Sequence, residues 1–207
     1  LTLDPITDAP TTSAPATQTV SEDAALTFSG ANAIKVTDID AGNAGIRVHL
    51  LVSNGTLALA DGQVTNANGA LSLVGTQDEI NALLDGATFT PASNYFGEAR
   101  VIVSVNDLGN SGAGGELRAS QTIKITVDPV VDPSVLQADS GSAAEDNAIK
   151  GNVLTNDNDV DNVLSVVGFS IDGGVFNAGD TATIANVGQL TLNANGSYRF
   201  GPAANRN

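Results

Sequence analysis

The chain repeats itself, and a repeat must fold as copies of one unit. LTLDPITDAP (1–10) returns as ITVDPVVDPS (125–134), an apolar alternation running into Asp-Pro and then a second Asp. SEDAALTFSG (21–30) returns as AEDNAIKGNV (144–153), TDIDAG (37–42) as NDVDNV (158–163), and ATFTPASNYFG (87–97) as YRFGPAANRN (198–207). Four landmarks in one order describe a tandem repeat. The offset falls from 124 positions at the first landmark (1 to 125) to 111 at the last (87 to 198), as loop deletions would produce. On this map residues 1–12 are the end of a preceding repeat and its linker, and 13–130 are one complete unit. Residues 131–207 are a second unit without counterparts of EARVIVSVND (98–107) and QTIKITVDP (121–129). The expectation is a window cut from a longer array.

Within the complete unit the period is mostly two. VIVSV (101–105), TIKITV (122–127), IRVHLLV (46–52) and TLALA (56–60) read as short strands rich in β-branched residues. Asn54-Gly55, Asp61-Gly62 and Asn68-Gly69 read as turns between them. TQDEINALLDG (76–86) breaks the pattern: Thr76 and Glu79 form a capping box, Ile80, Leu83 and Leu84 share a helical face, and Gly86 ends the helix. About seven strands and one short helix in such a unit predict an all-β chain of tandem β-sandwich domains.

Charge bounds the partners. The 207 residues carry 23 acidic and 8 basic side chains, a formal charge of −15. That excludes a nucleic-acid footprint and argues against docking on anionic membranes, and it favours cations and an extracellular or halophilic setting. With no cysteine there is no disulfide framework, thiol nucleophile or zinc–thiolate site. Metal is then the natural staple for a secreted chain. Methionine is absent even at position 1, as in a fragment or processed chain, and no apolar run is long enough for a membrane helix.

Strand order places the acids, if strands alternate up and down. Strand A (16–20) descends to the SED turn, and strand B (25–36) returns, bringing Asp38 and Asp40 beside the linker residues Asp4 and Asp8. The strand 99–106 delivers Asp107 to that same end and begins with Glu98 at the other. The last strand descends into Asp128 and Asp132. One expected junction therefore combines Glu22, Glu98, Asp128 and Asp132 with Asp159 and Asp161, and a half junction combines Asp4, Asp8, Asp38, Asp40 and Asp107. Such clusters repel when empty. Ca²⁺, which takes six to eight oxygens in irregular geometry, suits them better than Mg²⁺. In Asp38-Ile39-Asp40 the alternate spacing is expected to send both carboxylates to one side and Ile39 into the core. The competing reading is that Asp and Asn are simply turn formers, which explains any one acid but not paired acids at both ends. Asp157 either extends the pair to DxDxD or caps the turn.

SEDAALTFSG, VTDIDAG, GTQDEINALLDGATFTPASNYFGEA and VNDLGNSGAGG together resemble the cadherin-like tandem repeats of large bacterial RTX-type surface adhesins. NAIKGNVLTNDNDVDNVLSVVGF with GQLTLNANGSYRFGPAAN resembles the related VCBS-type repeat. The resemblance implies Ig-like (cadherin-like) sandwiches, Ca²⁺-rigidified extracellular extender domains, and a role in attachment or biofilm formation. Copy two departs from it where Arg206-Asn207 replace Tyr95-Phe96.

Enzyme chemistry has little support. The one histidine, His49, lies inside a strand pattern, and Trp is absent while two Tyr and six Phe are scattered, so neither a glycosidase cleft nor an aromatic sugar platform is visible. Tyr95-Phe96 reads as packing at a strand corner, and GNSGAGG (109–115) as a mobile loop between strands. Two classes of function survive. One is a structural extender whose partners are neighbouring repeats of its own chain. The other is a recognition or self-assembling module that engages a partner through loops, or another copy by strand exchange.

Overall fold

Alternation of apolar and polar residues builds the first layer directly. In IRVHLLVS the residues Ile46, Val48, Leu50 and Val52 are buried while Arg47, His49, Leu51 and Ser53 face outward. The computed structural model describes residues 6–65, 68–110, 112–142 and 147–203. The chain divides into two compact units, Leu1–Val130 and Val131–Asn207.

The first unit contains β1 (Thr11–Ser13), β2 (Thr17–Ser21), β3 (Leu26–Phe28), β4 (Lys35–Thr37), β5 (Ile46–Ser53), β6 (Gly55–Ala58), β7 (Ala70–Gly75), α1 (Gln77–Leu84), β8 (Ala87–Pro91), β9 (Gly97–Asn106) and β10 (Arg118–Asp128). A five-stranded sheet runs β2-β10-β9-β5-β7, opposed by the three-stranded sheet β3-β8-β6 and the pair β1-β4. β2 joins β10 in parallel while the other neighbours in the larger sheet are antiparallel. The two layers enclose one apolar core in which Phe28, Phe89, Leu50, Leu57, Val101, Val103, Ile123 and Ile125 have no exposure. Each such side chain stabilises the fold by about 1.5–3 kcal/mol. This is an all-β, Ig-like sandwich with one short helix.

Local chemistry sets the corners. Thr76 caps α1 by accepting from the Glu79 N–H, and Glu79 accepts in return from the Thr76 N–H, so both halves of the capping box form. Ile80 and Leu84 are buried on its inner face. At Asn54-Gly55 the chain leaves the larger sheet for the smaller one, so the pair is a crossing between layers rather than a hairpin turn. A Cβ on Gly55 would lie 2.5 Å from the Thr90 carbonyl oxygen and 2.6 Å from the Phe89 ring. Asn54 donates to the Tyr95 hydroxyl, which donates to the Glu98 carbonyl, tying the corner to the start of β9. Phe96, expected to pack there with Tyr95, is instead 59% exposed.

Strand B differs from expectation. Residues 25–36 form two short strands, β3 against β8 and β4 against β1, separated by a 3₁₀ turn at Gly30–Asn32. Gly30 adopts φ +57°, which an L side chain rarely does, and this bends the chain from one partner to the other.

The second unit contains β11 (Ile149–Asn152), β12 (Gly168–Ile171), β13 (Gly174–Asn177), β14 (Thr181–Ile184), β15 (Gly188–Leu192) and β16 (Ser197–Pro202). Its sheet runs β11-β16-β15-β14, with β12-β13 as a separate hairpin. Residues 164–167 precede β12 outside any strand, although the Val166 N–H donates to the Ala194 carbonyl. Among the described residues of this unit only Ala182 and Leu192 are buried hydrophobics.

Candidate functional site

Ladder register fixes which acids share an end of the first unit. Asn106 pairs with Arg118 and Gly97 with Val127 across β9 and β10, so Asp107 and Glu98 lie at opposite ends. Asp128 pairs with Ser21, which puts Glu22 at the Glu98 end. Thr11 pairs with Thr37, which carries Asp38 to the linker. Glu22 and Asp38 are therefore at opposite ends. Asp4 lies outside the described residues.

At the linker end the first surprise is the direction of Asp38. It is buried, while Ile39 is 81% exposed, the reverse of what strand alternation predicts. The segment is a turn: Asp38 Oδ1 accepts from the N–H of Asp40 at 3.0 Å and of Ala41 at 3.2 Å. Short Asp side chains that bond the backbone two or three residues ahead displace strand geometry in this way. Asp40 Oδ2 accepts from the Asp8 N–H at 2.5 Å, clasping the incoming linker. The helix contributes as well, because Gln77 Oε1 accepts from the Asp38 N–H and Asn81 bonds both polar groups of the Val36 backbone. Asp107, also buried, closes the β9–β10 loop by accepting from the N–H of Gly109 and Leu117.

The opposite end contains the most unusual acid. Glu22 is only 4% exposed; its Oε1 accepts from the Val130 N–H at 2.6 Å, and its Oε2 is buried without a hydrogen-bond partner among the described residues. A carboxylate so placed needs a cation or a proton. Asp128 is exposed at the end of β10. Glu98 faces outward and is ion-paired with Arg100, two residues along the same strand face.

The second unit repeats the linker clasp. Asp159 Oδ1 accepts from the N–H of Asp161 at 2.9 Å and of Asn162 at 2.8 Å, and Asp161 Oδ2 accepts from the Asp132 N–H at 2.6 Å. Ser134 donates its hydroxyl to Asp159 Oδ2, and Asp157 accepts from the Gln137 N–H. The Ser134 hydroxyl first, then the Asn162 and Asp161 amides, hold the Asp159 carboxyl below the usual carboxylate range. Asp157 thus has its own backbone partner, alongside the pair.

Much of the charge compensation sought in the sequence is therefore supplied by backbone N–H donors. Among the described residues no three His, Asp or Glu side chains gather closely enough to hold an ion by themselves. Gln77, Asn81 and Ser134 join these networks without charge, and Ser134 stands where the first copy has Pro10, so neither charge pattern nor repeat marks them in the sequence.

Residues 147–205 match the family profile of a bacterial Ig-like domain. No curated protein sequence matches the chain. Among solved structures it is similar to SGBP-B of the Bacteroides ovatus mixed-linkage glucan utilization locus, in complex with a mixed-linkage heptasaccharide. That alignment has 14% identity and a TM-score of 0.29 and covers 97% of this chain but only 41% of that one. Similarity to the titin domains Z1Z2 in complex with telethonin is at 13% identity and TM-score 0.29, covering 95% of this chain and 83% of that one. For the CsuC-CsuE chaperone-tip adhesion subunit pre-assembly complex of archaic chaperone-usher Csu pili of Acinetobacter baumannii the values are 10%, 0.28, 94% and 96%. The second unit is thus similar to a bacterial Ig-like domain, in agreement with the all-β, Ig-like architecture.

Proposed function

We propose that the chain is a calcium-binding structural module of a bacterial surface adhesin, an extracellular extender that supports attachment or biofilm formation without catalysis of its own. The similarity of residues 147–205 to a bacterial Ig-like domain supports a surface module. No helix of the described residues is long and apolar enough to cross a membrane. The observation that carries the calcium reading is Glu22, whose buried Oε2 has no protein partner among the described residues. Glu22 would hold the ion, with Asp128 from the same end of the unit; Asp38, Asp40 and Asp107 are the candidates at the linker end, and Asp132, Asp159 and Asp161 in the second unit. When bound, Ca²⁺ neutralises carboxylates and fills its shell with backbone carbonyls and water. Isothermal titration of the chelator-stripped protein tests this. Saturable Ca²⁺ binding that loses a site in Glu22→Gln is expected; the absence of binding heat contradicts it.

A recognition or self-assembly role is favoured by a different observation. Val163, Val167 and Val175 of the second unit are 97%, 86% and 86% exposed, and such apolar surface attracts a covering partner. Sedimentation velocity across a concentration series reads it: assembly supports this role, and a constant monomer argues for the extender.

A further inference from the structure

In a chain with 23 acids and eight Lys and Arg, four of the eight stand on one sheet face. Arg47, Arg100, Arg118 and Lys124 all occupy outward positions of β5, β9 and β10, whose alternate residues Val48, Leu50, Val101, Val103, Ile123 and Ile125 are buried. His49 is on the same face. Ladder register arranges the face in rows: Arg47, Asn106 and Arg118; then His49, Ser104 and Ser120; then Leu51, Ile102 and Thr122; then Ser53, Arg100 and Lys124. The first two rows line a cavity of 340 Å³. The outward acids of these three strands are Glu98, already paired with Arg100, and Asp128 at the strand end. Glu116, from the preceding loop, sits over the first row: its Oε2 accepts from Asn106 Nδ2 at 2.9 Å and pairs with Arg118 at 3.3 Å. The side chains of Arg47 and His49 make no hydrogen bond among the described residues, and Arg47 is near enough to Glu116 to help hold its carboxyl below the usual range, after Asn106 and Arg118.

We propose that this face binds an anionic polysaccharide. The chemistry follows row by row. Arg47 and Arg118 flank Asn106 around the Glu116 carboxylate, and an incoming carboxylate or sulfate takes that place, for which the guanidinium fork is suited. Ser104 and Ser120, hydrogen-bonded to each other at 2.9 Å, offer hydroxyls beside it. Leu51 and Ile102 supply an apolar strip for the C–H face of a sugar ring. Arg100 and Lys124 form a second anionic contact about 20 Å from the first, six residues along the strands. An extended polymer, rather than a small anion, spans that distance. A peptide is disfavoured because β5, β9 and β10 each have neighbours on both sides, so their backbone groups are committed to the ladders and only side chains are on offer. The proposal is independent of the calcium reading.

The test uses the whole chain at one fixed Ca²⁺ concentration. Hyaluronan supplies carboxylates, dextran sulfate supplies sulfates, neutral dextran is the blank and poly-L-glutamate is the acidic peptide. Binding to hyaluronan or dextran sulfate is expected, the better of the two identifying the anion. Affinity should fall about tenfold or more in Arg47→Gln/Arg118→Gln and stay unchanged in Arg199→Gln of the second unit. Glu116→Gln, which releases Arg118, should raise it by up to about fivefold. Absence of binding to both glycans, equal binding in the double variant, or poly-L-glutamate binding as tightly would overturn the proposal. If the double variant loses its melting transition, an unchanged or weakened Glu116→Gln overturns it instead.

Discussion

The two units share a plan and differ in what they bury. In each, the strand after the linker turn pairs with the strand of the ATFTP or YRFGP landmark: Leu26 opposite Phe89 in the first, Ile149 opposite Phe200 in the second. In each, an Asp-x-Asp turn clasps the linker through the same pair of contacts. Yet the first unit lays β2-β10-β9-β5-β7 over that sheet and seals a core, whereas the second has a hairpin and two buried hydrophobics among its described residues. Topology and linker geometry are local properties that one layer can specify. Burial needs both layers, and burial is what stabilises.

Amide hydrogen exchange should separate the two units most widely. Protection in β5, β9 and β10 should reach the global unfolding free energy, while β12 to β16 should exchange through local openings of much lower cost. Comparable protection in both units would mean the second sheet is covered. Truncating equivalent aromatics comes next. Phe89→Ala, at a position with no exposure, should cost about 3–5 kcal/mol, and Phe200→Ala, half-buried, less than about 1 kcal/mol by its smaller loss of contact; denaturant melts of both variants decide it. Gly55→Ala should cost about 1–3 kcal/mol by forcing a Cβ onto the Thr90 carbonyl, with no effect on amide shifts of the second unit. Thr76→Ala, which removes the cap of α1, should cost about 1 kcal/mol.

The smallest effect is a pH dependence of the second linker clasp. The folded Asp159 carboxyl sits below its ordinary value because of the Ser134 hydroxyl and backbone amides. Its contribution is therefore fully present above the usual carboxylate range and is lost as pH falls through the lower folded value. NMR titration should show the Asp161 and Asn162 amides shifting with Asp159 in that acidic window, and Asp159→Asn should abolish the shift.

Much of the sandwich was legible because its signals are local. Alternation in VIVSV and TIKITV, the Thr76–Glu79 box and the order of strands placed Glu22 and Asp38 at opposite ends, as the registers require. The errors arose where one residue's side chain overrides the strand period. Asp38 bonds its own backbone ahead, so Ile39 turns outward and Asp38 inward. Gly30 lets strand B break at a point that alternation cannot see. A charge count predicts repulsion among the carboxylates because it contains no backbone N–H donors, and such donors satisfy Asp38, Asp40, Asp107, Asp159 and Asp161. Glu22 stood out only in three dimensions, since its burial depends on β2, β10 and the Val130 amide meeting at one end.

Scanning calorimetry of the wild type and of Glu22→Gln, each with EDTA and with millimolar Ca²⁺, shows whether the folded chain holds the ion through Glu22. A ligand bound only by the folded state raises the transition by mass action. A higher transition temperature is expected for the wild type in Ca²⁺ and a much smaller rise for Glu22→Gln. Identical wild-type transitions in EDTA and Ca²⁺ would contradict calcium binding.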